Sequence, residues 1–409
     1  MKMGHSCNRT MENYPRVQPP LHRVNRIARS EAIFPQRGQG LYAQILLGRV
    51  RVGLLFVGLY TALPGKTQVS RMADVDTVYV KDYAHLLTGR AFLSTKYNAF
   101  RIDPTAEGTA LSYRPNNQVN MGIGASYRKF TLNLGFAIPF VNRDDDRYGR
   151  TRYLDAQANL LSPERATNFF LQMFRGYHIS TYSRAELGWP DQGVELPYRG
   201  DLKEFNIGAS TLRVYNSRRF SYRAAFNQDA WQCRSQGSWL LGGYALYYRL
   251  NADSSLVPSA LARRFDAPAA LRKGDFADIG PMGGYAYTLV LKRRWFATAS
   301  FAIGAGLSVQ HTLSDPLPEI SAAGPNTTWG PGWHIQMRGA MGYNSQRDQI
   351  SLSFNEERVS YLRTDQSLFR WHVGNVRFNV VHRFSEKLPW FDRGFRWLKK
   401  KTPDVLKAS

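Results

Sequence analysis

The sequence predicts an all-β fold, a single antiparallel transmembrane β-barrel of about 12 strands within a range of roughly 10–14. Three observations lead there. The first is residues 285–310, two alternating runs joined at Lys292-Arg293-Arg294. From Trp295 onward the odd positions (Ala297, Ala299, Phe301, Ile303, Ala305, Leu307, Val309) are apolar. The even ones, Phe296, Thr298, Ser300, Ala302, Gly304, Gly306, Ser308 and Gln310, are mostly small or polar. A period of two places successive side chains on opposite faces of a strand. The second observation is length. These runs are about twice an ordinary strand of about 5–6 residues, and a tilted strand needs about 9–11 to cross a bilayer. The third is composition: no run reaches about 18 uncharged apolar residues, so no spanning helix is expected. The chain instead has 9 Trp, 22 Tyr and 23 Phe, enough for interfacial girdles. A soluble β-sandwich or lipocalin-like barrel shares the alternation; many such hairpins, girdles and an export signal separate the two.

Taken in order, residues 1–48 are rich in Arg and Pro and lack strand periodicity, a disordered leader or a gene-start artefact. Residues 49–73 read as a signal peptide region, because Arg49-Val50-Arg51 precedes the apolar run VGLLFVGLYTAL. The barrel is expected over 74–385. Strands are predicted at 88–102 and 108–114. A hairpin follows, in which Met121, Ile123, Ala125 and Tyr127 alternate with polar residues before the joint at Arg128-Lys129, and Phe130, Leu132, Leu134 and Phe136 alternate after it. Further strands are expected at 154–160, 167–177, 201–216, 218–231, 236–250, 333–345, 347–361 and 369–384, with twelve counted from residue 117. Short joints at Arg293-Arg294 and Gln346-Arg347 mark the periplasmic side, and loops 251–275, 313–332 and 361–368 face outward. The same count puts loop 178–200 on the periplasmic side, against the rule of long outer loops. Either a strand hides in 178–200 or one is miscounted in 201–250. Residues 386–409 form a basic, aromatic tail.

The formal charge is +23, of which residues 1–73 hold +9 and the remainder +14. No nucleic-acid motif accompanies it, so nucleic acid is not an expected partner. Basic lumens and rims also meet anionic solutes and lipopolysaccharide. Outer-membrane lipids, lipopolysaccharide and the barrel-assembly machinery are the expected partners, and the outer membrane the expected location after export. Of the two cysteines, Cys7 and Cys233, only the second follows the signal region, which leaves no internal disulfide. No CxxC or HExxH spacing is present, and no metal or cofactor is expected.

Several short motifs together resemble one family. They are Asp76-Thr77-x-Tyr79-Val80, Tyr113-x-Pro115-Asn116, Phe220-Ser221-Tyr222-Arg223-Ala224-Ala225-Phe226, Gln232-x-x-Ser235-x-Gly237-Ser238 and Gly342-Tyr343-Asn344. In this order the chain resembles an uncharacterised bacterial outer-membrane β-barrel family, domain of unknown function 4421, over about residues 74–385. The resemblance implies a Gram-negative outer-membrane location and supplies no activity and no catalytic residues.

Three groups of residues could carry chemistry. His178 and Ser180 form an HxS pair, which in outer-membrane phospholipases serves as base and nucleophile; Gln192 stands where an orienting Asn would be required. Glu356, Glu357, Arg358, Arg370 and His372 could meet in the lumen, either as a solute site or as a network that fills and stiffens the barrel. Residues 232–238 are a polar stretch best read as a turn, with Cys233 a passive small residue. The expected function is passive transport or an envelope-structural role. The alternatives are a lipid hydrolase using His178 and Ser180, or a binding or adhesion protein acting through loops 178–200, 251–275 and 313–332.

Overall fold

The computed structural model describes residues 75–384, apart from 105–106, 128–129, 139–140, 142–143, 266–269, 317–324 and 362–368. The leader, the signal region and the tail from 386 lie outside the described residues. The strands in the first half are β1 (Val80–Asp82), β2 (Thr88–Ile102), β3 (Leu111–Arg114), β4 (Val119–Tyr127), β5 (Phe130–Ala137), β6 (Arg152–Leu161), β7 (Arg165–Ile179) and β8 (Tyr198–Val214). The second half adds β9 (Ala230–Gln232), β10 (Gln236–Asn251), β11 (Leu271–Leu291), β12 (Trp295–Ser314), β13 (Asn326–Asn344), β14 (Asp348–Tyr361) and β15 (Phe369–Arg383). Short helices are α1 (Asp145–Tyr148), α2 (Arg184–Leu187) and α3 (Tyr222–Phe226).

The strands close on themselves. β2 pairs with β15, and the ladder runs through β14, β13, β12, β11, β10 and β8 to β7. β3 completes the ring by pairing with both β2 and β7. That makes a closed antiparallel ring of ten. β4 and β5 extend from Thr88–Thr95 of β2, and β6 from Ala166–Arg175 of β7. Closure removes the edges of the ring itself, while β5 and β6 each keep one edge without a ladder among the described residues.

The alternation read from residues 295–310 becomes the two surfaces of the wall. Phe301 is 48% exposed on the outside, whereas its neighbour Ser300 is 7% exposed and faces inward. Trp295, Ile303, Leu307 and Val309 share the outer face with Phe301. β11 and β12 pair from Leu291↔Trp295 upward, and inside the hairpin the hydroxyls of Thr288 and Thr298 lie 2.8 Å apart. Such a strand is apolar toward lipid and polar toward the lumen. The short joint at Lys292-Arg293 turns through two left-handed residues, with φ of 50° and 64°.

The ring of ten lies at the lower end of the expected range. The strands expected at 121–127, 130–136 and 154–160 extend from it instead of closing it, β2 and β3 upstream of residue 117 belong to it, and one expected strand is not part of the wall. Residues 218–231 are not a wall strand: they fold into α3 and β9 inside one end of the barrel. Phe220, Tyr222, Ala224 and Phe226 do alternate, but Ser221 caps a helix by accepting from the Ala224 N–H at 3.2 Å. This resolves the conflict over sidedness. With one fewer strand in 201–250, loop 180–197 falls at the same end as the other long loops. β11 and β13 also reach further than expected, taking residues 271–275 and 326–332 from stretches read as loop and, for β11, the unassigned residues 276–284 as well. Both carry Gly, Asp or Pro on strand, which masks the period of two.

Candidate functional site

Two plugs fill the lumen, and a polar layer lies between them. At the short-turn end, residues 215–235 fold inward and β9 pairs with β1. The Tyr222 hydroxyl hydrogen-bonds Ser300 Oγ on β12 at 3.1 Å. Ala225 of α3 packs with Phe296 and Ala340 from the wall. Arg223 reaches Asp82 at 3.1 Å and Asp229 at 2.9 Å. Arg383, at the end of β15, donates to the Gln228 carbonyl at 2.8 Å, to Asn344 Oδ1 at 3.0 Å and to Gln349 Oε1 at 3.0 Å. Three of the motifs that carried the family resemblance, those at 220–226, 232–238 and 342–344, meet here. Gln232 accepts from the Ser221 N–H at 2.8 Å and donates to the Arg219 carbonyl at 2.7 Å, and Asn344 donates to the Ala230 carbonyl at 3.4 Å.

At the long-loop end the plug is aromatic. Phe100 stacks on Tyr248 and on Phe369 at 5.9 Å, and Trp371 lies 5.6 Å from Tyr248. Trp371 is 0% exposed; its indole N–H donates to Asn98 Oδ1 at 2.8 Å, and Asn98 donates to Glu204 at 2.7 Å. The Tyr177 hydroxyl donates to the other Glu204 oxygen. Leu256 and Val257 of the β10–β11 loop are buried, and Tyr113 donates to the Leu256 carbonyl. That loop therefore folds down onto the mouth instead of projecting from it.

Between the plugs, β13 and β14 contribute His334, Gln336, Arg338 and Glu357. Gln336 donates to Glu357 at 3.0 Å and, across the bore, to Ser210 on β8 at 3.2 Å. Glu357 lies 3.4 Å from His334 and 3.8 Å from Arg338. A void of about 30 Å³ in this layer has room for about one water. Above it, Gly332 is needed because a Cβ there would collide with the buried Asp278 carboxylate.

The five residues expected to meet in the lumen do not stay together. Glu357 faces inward, and Glu356, Arg358, Arg370 and His372 turn to the outer wall. A period of two does this to adjacent residues, and the register Arg358↔His372 and Ser360↔Arg370 sets the outward group side by side. There Arg358 bonds Glu356, Arg370 pairs with Asp103, and Arg101 donates to Asp103 at 3.0 Å. They form a charged rim at the long-loop end of β2, β14 and β15.

His178 and Ser180 lie at the end of β7, and no hydrogen bond joins them. The Ser180 hydroxyl donates to the Ser112 carbonyl at 3.4 Å, and the His178 ring packs 4.9 Å from Tyr148. Gln192 accepts from the Tyr198 N–H at 2.9 Å. Cys233 sits beside β9, where burial pushes its thiol pKa up against the pull of Lys81 and Arg293; a thiol so shifted is a poor nucleophile. In loop 180–197 the Gly193 N–H and then Arg184 hold the Asp191 carboxyl below its ordinary range. No group of metal ligands occurs among the described residues.

His334, Gln336 and Arg338 are legible as the polar face of an alternating strand. Arg223, Asp229 and Arg383 carry no such signal, because the plug that unites them has no strand period.

A family model described as a domain of unknown function (DUF4421) matches residues 74–384. Among solved structures the chain is similar to the outer membrane protease OmpT of Escherichia coli, with 8% identity and a TM-score of 0.33 over 74% of this chain and 98% of that one. It is similar to the toluene transporter TodX of P. putida, with 8% identity and a TM-score of 0.24 over 75% of this chain and 93% of that one. A FadL homologue of Pseudomonas aeruginosa aligns with 8% identity and a TM-score of 0.22 over 73% of this chain and 90% of that one. No curated protein matches significantly.

Proposed function

The chain belongs to the DUF4421 family, a domain of unknown function, and from that premise we propose that it serves the Gram-negative outer membrane as a closed barrel without a through-pore. Of the two passive roles, solute passage along the bore and an envelope-structural role, the geometry favours the second. The observation that carries this reading is the double plug. An open porin keeps a water-filled channel, whereas here α3 and Arg383 occupy one end and the Phe100–Tyr248–Trp371 stack the other. Direct bonds across the middle, such as Gln336 to Ser210, brace opposite walls. The short turns then lie in the periplasm with the plug, and the long loops face outward. The hydrolase reading lacks support, since the nucleophile–base–orienter chain is not assembled at His178, Ser180 and Gln192.

The test is planar-bilayer conductance of the purified protein. Insertion without a steady conductance step is the expected result. A stable, ohmic open level in the wild-type protein would contradict the closed-barrel role.

A further inference from the structure

An unbroken barrel wall gives every strand two hydrogen-bonded neighbours. Here β5 is laddered to β4 and β6 to β7, and among the described residues no ladder joins β5 to β6. Toward the long loops the wall is shut, because β3 bridges β2 and β7. The outcome is a seam between β5 and β6 on the short-turn side of β3.

Exposure distinguishes these two strands from the rest of the wall. Inward residues of β12 such as Ser300, Ser308 and Gln310 are buried. On β6 the inward Gln157 and Asn159 are exposed, as is the inward Asn133 on β5. Outward on the same strands Leu134, Phe136, Leu154 and Leu160 are exposed. Behind the seam lies the mid-lumen cavity, bordered by Gln157, Asn159, Arg338 and Glu357.

Two inward arginines near this seam have spare donors. Arg338 is 3.8 Å from its nearest carboxylate oxygen, and its buried Nε lacks a partner. The Arg377 guanidinium lies 4.4 Å from the Phe92 ring centroid, and its buried Nε also lacks one. Lys96 and Asp155 neutralise each other at 2.7 Å. Set against Glu357, the two arginines leave one positive charge uncompensated. Unpaired strand edges in hydrocarbon cost several kcal/mol per polar group, so an empty seam in a bilayer is unfavourable.

We infer that the seam admits an anionic amphiphile. Its phosphate-type headgroup lodges at the cavity mouth between β5 and β6, within reach of Arg338 and Arg377. Its hydrocarbon tail stays outside against Leu134, Phe136, Leu154 and Leu160. A charge-assisted bond to a guanidinium suits a phosphate, and the void itself is too small for more than about one water. The inference rests on the transmembrane reading above and adds a side entry that the closed bore does not provide.

The test uses the full chain carrying Cys7→Ser, Cys233→Ser and Asn159→Cys, labelled at residue 159 with an environment-sensitive fluorophore. It is folded in dodecyl maltoside micelles and titrated with dodecyl phosphate. Inorganic phosphate is titrated in parallel to separate a headgroup alone from an amphiphile. A saturable emission change with dodecyl phosphate is expected, with inorganic phosphate weaker by at least about tenfold. Arg338→Gln and Arg377→Gln, made separately, should each weaken binding by about tenfold, whereas Arg101→Gln on the outer wall should leave it unchanged. A heat-dependent gel shift establishes that each variant folds, and its absence in the parent would count against the barrel itself. No response in a folded parent, wild-type affinity in both arginine variants, equal affinity for inorganic phosphate, or a dimer that covers residue 159 would overturn the side-entry site.

Discussion

Arg383 shows how much of this barrel depends on single buried donors. Its guanidinium bonds the Gln228 and Ala230 carbonyls, Asn344, the Ser345 carbonyl and Gln349, and it lies 4.9 Å over the Tyr83 ring. No carboxylate is among these partners, so its contribution is hydrogen bonding in a fixed fork. Truncation leaves buried carbonyls unsatisfied at about 1–3 kcal/mol each. The Gln228 and Ala230 carbonyls belong to the plug and the Ser345 carbonyl to the β13–β14 turn beside it, so the damage should be local. In Arg383→Ala, trypsin should cut the folded protein after Arg218, Arg219 or Arg223, where the wild type resists. Arg383→Lys keeps the charge but loses the planar fork and should be intermediate. Equal resistance in all three would show that Arg383 does not hold the plug.

At the scale of the element, the β11–β12 hairpin combines a legible pattern with a strained joint. The alternation in residues 285–310 specified both strands and which face each residue takes, because one residue of slip would turn every side chain over. The joint was legible as short, but its shape was not. Lys292 and Arg293 adopt positive φ without being Gly, Asn or Asp, and the Arg293 carbonyl accepts from the Trp231 indole N–H at 3.1 Å. A left-handed residue other than Gly costs roughly 1–2 kcal/mol, so the paired substitution Lys292→Asn with Arg293→Gly should stabilise the barrel by about that amount. The urea midpoint of folding in lipid vesicles is the check, and an unchanged or lower midpoint would mean the two side chains return more than the strain costs. Residues 218–231 show the opposite case. Their apolar alternation imitates a wall strand, and only the Ser221 cap announces a helix. Periodicity alone could not tell a plug packed on one side from a strand wetted by lipid on one side.

For the molecule as a whole, an all-β transmembrane barrel was legible from alternation repeated along the chain. The ring of ten was harder, since β3 and β4 share one side of β2 and the seam at β5 and β6 depends on long-range pairing. The lumen site was half legible. His334, Gln336 and Arg338 follow from parity on β13, and Glu357 from parity on β14. Placing Glu356, Arg358, Arg370 and His372 with Glu357 ignored that same parity. Everything proposed for the lumen, plug and seam presupposes that the outward face of β12 meets lipid. The most direct measurement is a spin-label scan over residues 295–309 in reconstituted bilayers, reading oxygen and nickel-chelate accessibility at each position. The predicted result is a period of two, with the odd positions from Trp295 to Val309 open to oxygen and, near Phe301 and Ile303, closed to the chelate, while even positions are closed to both. Loss of the period, or chelate access at Phe301 and Ile303, would contradict the transmembrane barrel.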